Sequence, residues 1–537
     1  MHVHITHIHN CSISIKTEGE EKLSKQTFIR GTIILIIAGF ITRTLGFVNR
    51  IILARIMGEE GVGLYMMAFP TFLLAITLTQ IGLPVAISKF IAEADAENDS
   101  AKIKRILVVS LVVTTGLSII ISIILMLFSP LMAEHLLGDR RTFYPLIVIL
   151  PVLPIIAFSS VLRGYFQGKQ DMRPGAYAQV IEQVVRITFI YICIKSLAPF
   201  GIEYAAMGAM LSAVLGELAS LFYVWHVFQK QKPFQIRENF LSVLSKSKQT
   251  LKELMHVALP TTGSRLIGSV TLFLEPILIS QSFIYIGLGA TEAAKQYGIF
   301  SGYVIPLLML PSFITYSLSV SLVPAISEAL VKKQYALVEY RLQQSLRICL
   351  VTGGLAVTCI YIYARPILQI MYGNDASTEL LQLMAPFFLL YYFQGPLQAA
   401  LQAMDLAKAG MYNTLVGSVL KSIFIVIMAT QTDMQIYGVA LAYCFGVILI
   451  TFLHLATVFK NIPFTLKPLE YITSLIIMLL SGFFGNWLYK QLAISPLVLK
   501  LVICLGLVSA FYGLLLFITG LVPKKEWGRF AGFRKHL

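Results

Sequence analysis

Long apolar stretches separated by short polar loops dominate the chain. Roughly 20 apolar residues in an α-helix cross the hydrocarbon core of a bilayer, and about fourteen stretches are long enough. They are residues 30–54, 63–88, 105–128, 143–167, 174–196, 203–228, 253–284, 297–326, 343–364, 379–403, 411–430, 436–459, 468–489 and 496–520. The pattern predicts an all-α polytopic membrane protein with about 14 transmembrane helices.

Composition and charge placement favour the same class. Of the 537 residues, 57% are hydrophobic and 13% are charged, whereas charged residues make up about a quarter of a soluble domain. The net charge of +15 would suit nucleic acid, but basic residues beside spans normally record orientation. They concentrate on the inner side if the N-terminus is cytoplasmic, six of them within 229–252. We expect a multi-pass cell-membrane protein with both termini cytoplasmic and no nucleic-acid partner.

Residues 1–24 form a leader that lacks the apolar core of a signal peptide. Its alternating histidines have no further ligand to close a metal site; they are His2, His4, His7 and His9. Residues 18–21, Glu-Gly-Glu-Glu, are what a purine-rich bacterial ribosome-binding site encodes when it is read in frame, and the codon of Leu23 then suits a TTG start. We expect residues 1–22 to be untranslated and the natural protein to begin at position 23.

Residues for catalysis or cofactor binding do not assemble into a motif. The six cysteines are scattered without a CxxC pair, so they are interpreted as small apolar packing residues. The stretch GYFQGKQ from Gly164 is one residue short of a phosphate-binding loop, and no Ser or Thr follows its lysine. No Ser/His/Asp set or metal-ligand cluster appears. We expect no enzyme activity, cofactor or metal, and the pattern favours transport.

Three segments recur in the same order, each about six spans further along the chain. The matches are RTLGFV (43–48) with RLIGSV (265–270), LPVAIS (83–88) with VPAIS (323–327), and QGKQDMRPGAYAQVIEQVVR from Gln167 with QAMDLAKAGMYNTLVGSVLK from Gln402. Because six is even, the two halves share one orientation, as in transporters built from parallel repeats.

The repeat predicts two six-helix lobes. We expect an N-lobe at 25–228 and a C-lobe at 253–460, joined by a basic cytoplasmic linker at 229–252. Residues 461–537 fall outside the repeat and contain the last two spans and a basic cytoplasmic tail.

Five basic residues lie inside predicted spans and are candidates for binding an anionic substrate: Arg43, Arg265, Arg186, Lys421 and Arg50. The repeat pairs the first with the second and the third with the fourth. At 1.5 Å per residue Arg43 lies about 20 Å from the start of its span, and the other three repeat-related cations lie roughly 15–18 Å deep. Charges at such depths usually face a bundle interior or a watery cavity. Arg50 lacks a repeat partner, and reaching the outer interface is its alternative role.

Three intramembrane acids, Glu182, Glu217 and Glu275, are candidate proton or cation sites. Glu182 precedes Arg186 by four residues, so an ordinary helix ion pair is an equal alternative for these two. Eleven prolines also lie within spans, where they either break helices beside a cavity or bend them for packing. They are Pro70, Pro84, Pro151, Pro154, Pro260, Pro276, Pro306, Pro311, Pro324, Pro386 and Pro396.

The stretches TRTLGFVNRIILARIMGEEGVGLYMMAFP, TQIGLPVAISKFIAEA and LRGYFQG resemble the multidrug/oligosaccharidyl-lipid/polysaccharide (MOP) exporter superfamily, in its polysaccharide-transporter branch. The resemblance runs from about Lys25 to the C-terminus. It implies two six-helix lobes around a central cavity and alternating access. The likeness to the sporulation members of the branch implies a role in making spore cortex peptidoglycan.

Lipid II flippases of the MurJ/MviN type share the RxLGF pattern in their first span, where the arginine lines the cavity, and by that match Arg43 carries over. Their second functional arginine meets Asn49, one position before Arg50. The arginine pair of their second span meets uncharged residues at 72–76, and no arginine is found in the eighth span. The resemblance therefore leaves lipid II itself open as the substrate.

The sequence as a whole predicts a flippase for an undecaprenyl-pyrophosphate-linked sugar, with a lipid-linked anionic substrate and membrane lipids as partners. Arginine suits phosphate because its planar fork matches the oxygens. Two alternatives stay open. A cation-coupled exporter of small molecules from the same superfamily would have an acidic cavity, whereas a non-transporting scaffold for cell-wall synthesis proteins would depend on residues 229–252.

Overall fold

The computed structural model describes residues 4–232, 248–465 and 467–521. Within these ranges the chain is helical and contains no β-strand, so the predicted all-α polytopic class is confirmed. Side chains are described from residue 34 onward, apart from 35, 36, 260, 261 and 264. The side chains of the predicted leader, the middle of the linker and the tail beyond residue 521 lie outside the described part.

The helices before the linker are α1 (His4–Gln80), α2 (Leu83–Ala96), α3 (Ser100–Leu131), α4 (Phe143–Val148), α5 (Val152–Gly168), α6 (Arg173–Leu197) and α7 (Ile202–Gln231). Those after it are α8 (Lys248–Tyr285), α9 (Ala290–Tyr297), α10 (Ile305–Met309), α11 (Ser312–Val331), α12 (Tyr335–Ile362), α13 (Ala364–Tyr372), α14 (Thr378–Ala403), α15 (Ala407–Ala429), α16 (Gln435–Asn461), α17 (Pro468–Gln491) and α18 (Leu497–Thr519). Turns of π-helix follow α3 at Met132–Leu136 and α9 at Gly298–Val304.

Twelve helical segments of the described chain are long and apolar enough to cross a membrane. The first, Ile37–Ala96, has 60 residues and covers two predicted spans. Helix α6, which has 25 residues and carries Glu182 and Arg186, is not among the twelve. The protein is therefore a multi-pass membrane protein, and the number 14 stays a prediction.

Prolines mark the breaks in three predicted spans. Each break places a proline at or just before the start of a new helix, where its missing N–H costs least. The three prolines are Pro84 in α2, Pro151 before α5 and Pro311 before α11. By contrast Pro386 and Pro396 lie inside the continuous helix α14, so only some of the intramembrane prolines interrupt a helix.

The chain divides into two compact units. Unit 1 comprises Met1–Ile52, Ala68–Ala133 and Arg141–Val270, and unit 2 comprises Leu53–Met67, Glu134–Arg140 and Thr271–Leu537. The core of unit 1 packs α2, α3, α5 and α7 around fully buried residues such as Ile87 and Phe228. A core of unit 2 packs α11, α12, α14 and α16. The lobe boundaries given above stay a prediction.

The last two helices, α17 and α18, pack on each other and on α12. Tyr363 and Cys504 are both fully buried at this contact, and the Tyr363 hydroxyl donates to the Gly485 carbonyl at 3.1 Å. The opposite faces expose large apolar side chains, among them Phe483 and Ile518. In a bilayer such faces meet lipid tails at no cost.

Helix α1 changes direction at Gly58, whose φ of +67° belongs to the left-handed region, where only glycine is free of strain. The segment after this kink packs within unit 2. Glu59 accepts a hydrogen bond from Asn374 at 2.9 Å and lies 3.7 Å from the Lys295 ammonium. Gly63 lies against the backbone of Ala294, where an added Cβ would clash. Two predicted spans therefore form one kinked element.

Candidate functional site

One face of α1 carries a stripe of glycine and arginine. Gly39, Arg43, Gly46 and Arg50 follow one another at spacings of four, three and four, which places them on one side of a helix. Arg43 is exposed, and neither Gly39 nor Gly46 has another atom within 4 Å of the position a Cβ would occupy. Arg43 thus lies on an exposed helix face whose two glycines leave space beside it.

Arg265 repeats this arrangement on α8, in the same unit. It is exposed, Gly268 follows three residues later, and open space surrounds Gly263 and Gly268. The neighbouring Ser269 hydroxyl turns back to the Arg265 carbonyl at 3.1 Å. Both members of the first predicted cation pair therefore lie on exposed helix faces beside glycines.

Arg50 is half-buried, and its neighbour Asn49 is 6% exposed. The Asn49 side-chain oxygen has no hydrogen-bond partner among the described residues. Arg50 shares the stripe of Arg43 without the open glycine on its far side, so it stays the weaker candidate.

Arg186 belongs to a cluster of four charges in unit 1. Its guanidinium lies 2.6 Å from a Glu182 oxygen, which is the i, i+4 pair that the sequence offered as an alternative. Arg163 of α5 lies 3.9 Å from Glu182 and 3.5 Å from Glu217, and it donates to the Ser220 hydroxyl at 2.8 Å. The cluster, which we call the α5–α7 cluster, thus contains two arginines and two carboxyl groups, whose formal charges balance.

Sequence reasoning missed Arg163. It stands in the motif LRGYFQG, inside a predicted span and without an acid within one turn, which is the criterion that singled out Arg43. The equivalent position in the other half of the predicted repeat holds no cation. A search for repeat-related cations therefore does not find Arg163. The glycines of the same motif have a packing role: a Cβ on Gly164 or Gly168 would lie about 3 Å from backbone carbonyls of α2.

Lys421 and Glu275 form a separate pair in unit 2. The ammonium lies 2.7 Å from a Glu275 oxygen, and both side chains are 11% exposed. The ammonium also lies 4.5 Å from the centre of the Tyr443 ring, a cation–π contact. Lys421, which was predicted to bind an anion, and Glu275, a predicted ion site, thus lie together, and their opposite formal charges compensate each other.

Glycines of the following helix make room for both repeat-related cations. Added Cβ atoms on Gly208 and Gly216 of α7 would lie 2.7 Å from backbone oxygens of α6, and one on Gly446 of α16 would lie 2.9 Å from the Lys421 stem. Gly438 likewise meets the backbone of α15. The two glycine pairs have the same eight-residue spacing, and their offset of 230 is close to the offsets of the three predicted repeat segments.

We expect Gly216→Ala to destabilise the protein. Its Cβ would meet the Glu182 carbonyl oxygen, which is backbone and cannot swing aside, and overpacking of this kind costs about 1–3 kcal/mol. Gly116→Ala on α3 is the control because nothing lies within 4 Å of that site. Thermal unfolding of the purified protein measures both, and an equal melting temperature for the two variants would contradict the packing assignment.

The known proteins that this multi-pass membrane protein is similar to are transporters and flippases of the MOP exporter type, not enzymes. Residues 28–330 match the family described as polysaccharide biosynthesis protein, and residues 301–427 match the MatE family. The chain belongs to the polysaccharide biosynthesis protein family.

The relatives extend over most of the chain. It is 51% identical over 508 residues to stage V sporulation protein B of Bacillus subtilis strain 168, covering 94% of this chain and 98% of that protein. It is 25% identical to lipid II flippase MurJ of the same organism, covering 77% and 80%. Among solved structures, a lipid II flippase MurJ in an inward closed conformation has a TM-score of 0.64 at 16% identity, covering 89% and 98%. The predicted family resemblance is confirmed.

Proposed function

We propose that this protein is a flippase for an undecaprenyl-pyrophosphate-linked precursor of peptidoglycan or a related polysaccharide, that it works by alternating access, and that it acts in spore cortex synthesis. The names of the relatives support both parts, since one is a sporulation protein and another a lipid II flippase. The cell membrane is its site of action, with both termini in the cytoplasm.

The observation that carries the proposal is the exposure of Arg43 and Arg265 beside open glycines at repeat-related positions. A fixed cation deep in a membrane protein is costly unless water or an anion meets it. A pyrophosphate offers several oxygens to two guanidinium forks, so these residues are its primary ligands. Arg50 extends the same stripe.

Arg186 and Lys421 take a secondary role in this mechanism. Each is held by a carboxylate at 2.6 or 2.7 Å, so either reaches a phosphate only after leaving its partner. Glu182 and Glu217, in the α5–α7 cluster, are the acids that a proton or cation would engage during the cycle. The polyprenyl tail stays in lipid along the apolar faces of α17 and α18.

Reconstitution tests the proposal. Proteoliposomes containing the full chain and a fluorescent undecaprenyl-pyrophosphate-linked sugar should move the label between leaflets, and a membrane-impermeant quencher reports the fraction moved, with and without an imposed membrane potential. Protein-free liposomes set the background. Translocation no faster than that background under either condition would reject the proposed function. Sensitivity confined to changes in residues 229–252 would instead favour the scaffold alternative.

A further inference from the structure

Lys421 of unit 2 and its predicted repeat counterpart, Arg186, each contact a carboxylate, but the two carboxylates come from different places in the chain. Arg186, the counterpart of Lys421, receives its carboxylate from Glu182 on the same helix. The position equivalent to Glu182 is Gly417. The carboxylate that meets Lys421 comes instead from Glu275 on α8, 146 residues away in sequence.

Both side chains of this pair are largely buried among the described residues. The Tyr443 ring covers the ammonium, and Gly446 packs on the Lys421 stem. The phenols of Tyr297 and Tyr443 lie within electrostatic range of Glu275. Phenols are neutral at physiological pH, so these two rings add no formal charge to the Lys421–Glu275 pair.

An intramembrane carboxylate beside phenol rings suits a small monovalent cation. The carboxylate supplies a negative oxygen, and the rings supply electron-rich faces. Here the cation is supplied by the chain. A tethered ammonium is held at the carboxylate with a high effective concentration, so a soluble cation competes poorly for that oxygen.

We infer that Lys421 is a built-in cation which permanently fills the Glu275 site, so that unit 2 works without a soluble monovalent cation. The inference refines the proposed function because it removes Glu275 from the candidate ion-coupling acids and leaves those of the α5–α7 cluster. It also separates Lys421 from the substrate ligands.

Removal of the ammonium should create a site for a soluble cation. We expect Lys421→Met to gain a saturable increase in melting temperature with added Na⁺ at pH 8.5, relative to N-methylglucamine at equal ionic strength. The wild type and Lys421→Arg should melt at the same temperature in both salts. Adding Glu275→Gln to Lys421→Met removes the negative charge, so that double variant should lose the Na⁺ response.

These readouts concern cation binding and do not require transport, so they stand even if the lipid probe is not moved. A Na⁺-dependent rise in the wild type that Glu275→Gln abolishes would overturn the inference, and so would a folded Lys421→Met protein that does not respond to Na⁺. If Lys421→Met does not fold, the melting temperature of the wild type in Na⁺ and in N-methylglucamine is the deciding measurement. In proteoliposomes that translocate the probe, the wild-type rate should be equal in Na⁺ and in N-methylglucamine.

Discussion

Replacing Arg43 or Arg265 by alanine should lower translocation of the pyrophosphate-linked probe by roughly ten- to hundredfold. A hydrogen bond to a charged group contributes about 1.5–3 kcal/mol, and every 1.4 kcal/mol is about a factor of ten. Both residues are exposed beside open glycines, so the substitutions remove a ligand without leaving a cavity in a packed core. Arg43→Lys should retain part of the activity because it keeps the charge and loses the planar fork.

Arg341→Ala is the matched control for these variants, since Arg341 is an exposed arginine in the first turns of α12. It should transport at the wild-type rate. Complementation of a strain that lacks its own copy provides a second readout, with protein abundance measured in the same cells. Full activity of both alanine variants at normal abundance would contradict the substrate-binding role.

Arg163→Met should be the most destabilising of the single substitutions considered. It leaves Glu182 and Glu217 sharing the one remaining cation, Arg186, in an interior where their side chains are 11% and 12% exposed. Breaking a buried ion pair by removing one partner costs about 3–5 kcal/mol. We expect a clear fall in the melting temperature of the detergent-purified protein.

The double variant Arg163→Met, Glu217→Gln tests the reason for that fall. It removes one charge of each sign and keeps the α5–α7 cluster neutral, so it should recover most of the stability. A single variant as stable as the wild type would show that the cluster is not a compensated network. Translocation by a stable double variant at the wild-type rate would remove Glu217 from the coupling acids.

The all-α membrane class could be predicted because each span must be apolar over its full length, whatever its neighbours are. The intramembrane charges were visible for the same reason: Arg43, Arg265 and Lys421 interrupt otherwise apolar runs. The kink at Gly58 and the breaks before Pro151 and Pro311 were less visible, since hydropathy is insensitive to the direction of a helix.

Partners across helices could not be predicted, because contacts between distant segments leave no periodic signal. The Glu182–Arg186 pair is local and was anticipated as an alternative, whereas Lys421 finds Glu275 at a separation of 146 residues. Arg163 reaches Glu217 across 54 residues. The glycines at 208, 216, 438 and 446 repeat their spacing in the sequence, but their role appears only once the helices that they admit are in place.

Recognition of an anionic linkage by Arg43 and Arg265 is the central step of the proposed mechanism. The direct measurement is the initial rate at which wild-type proteoliposomes translocate two probes with the same polyprenyl tail and the same sugar, one joined through pyrophosphate and one through a neutral linker. The pyrophosphate probe should move at least about tenfold faster, as expected for about 1.4 kcal/mol or more of charge-dependent binding. Equal rates for the two probes would contradict the account.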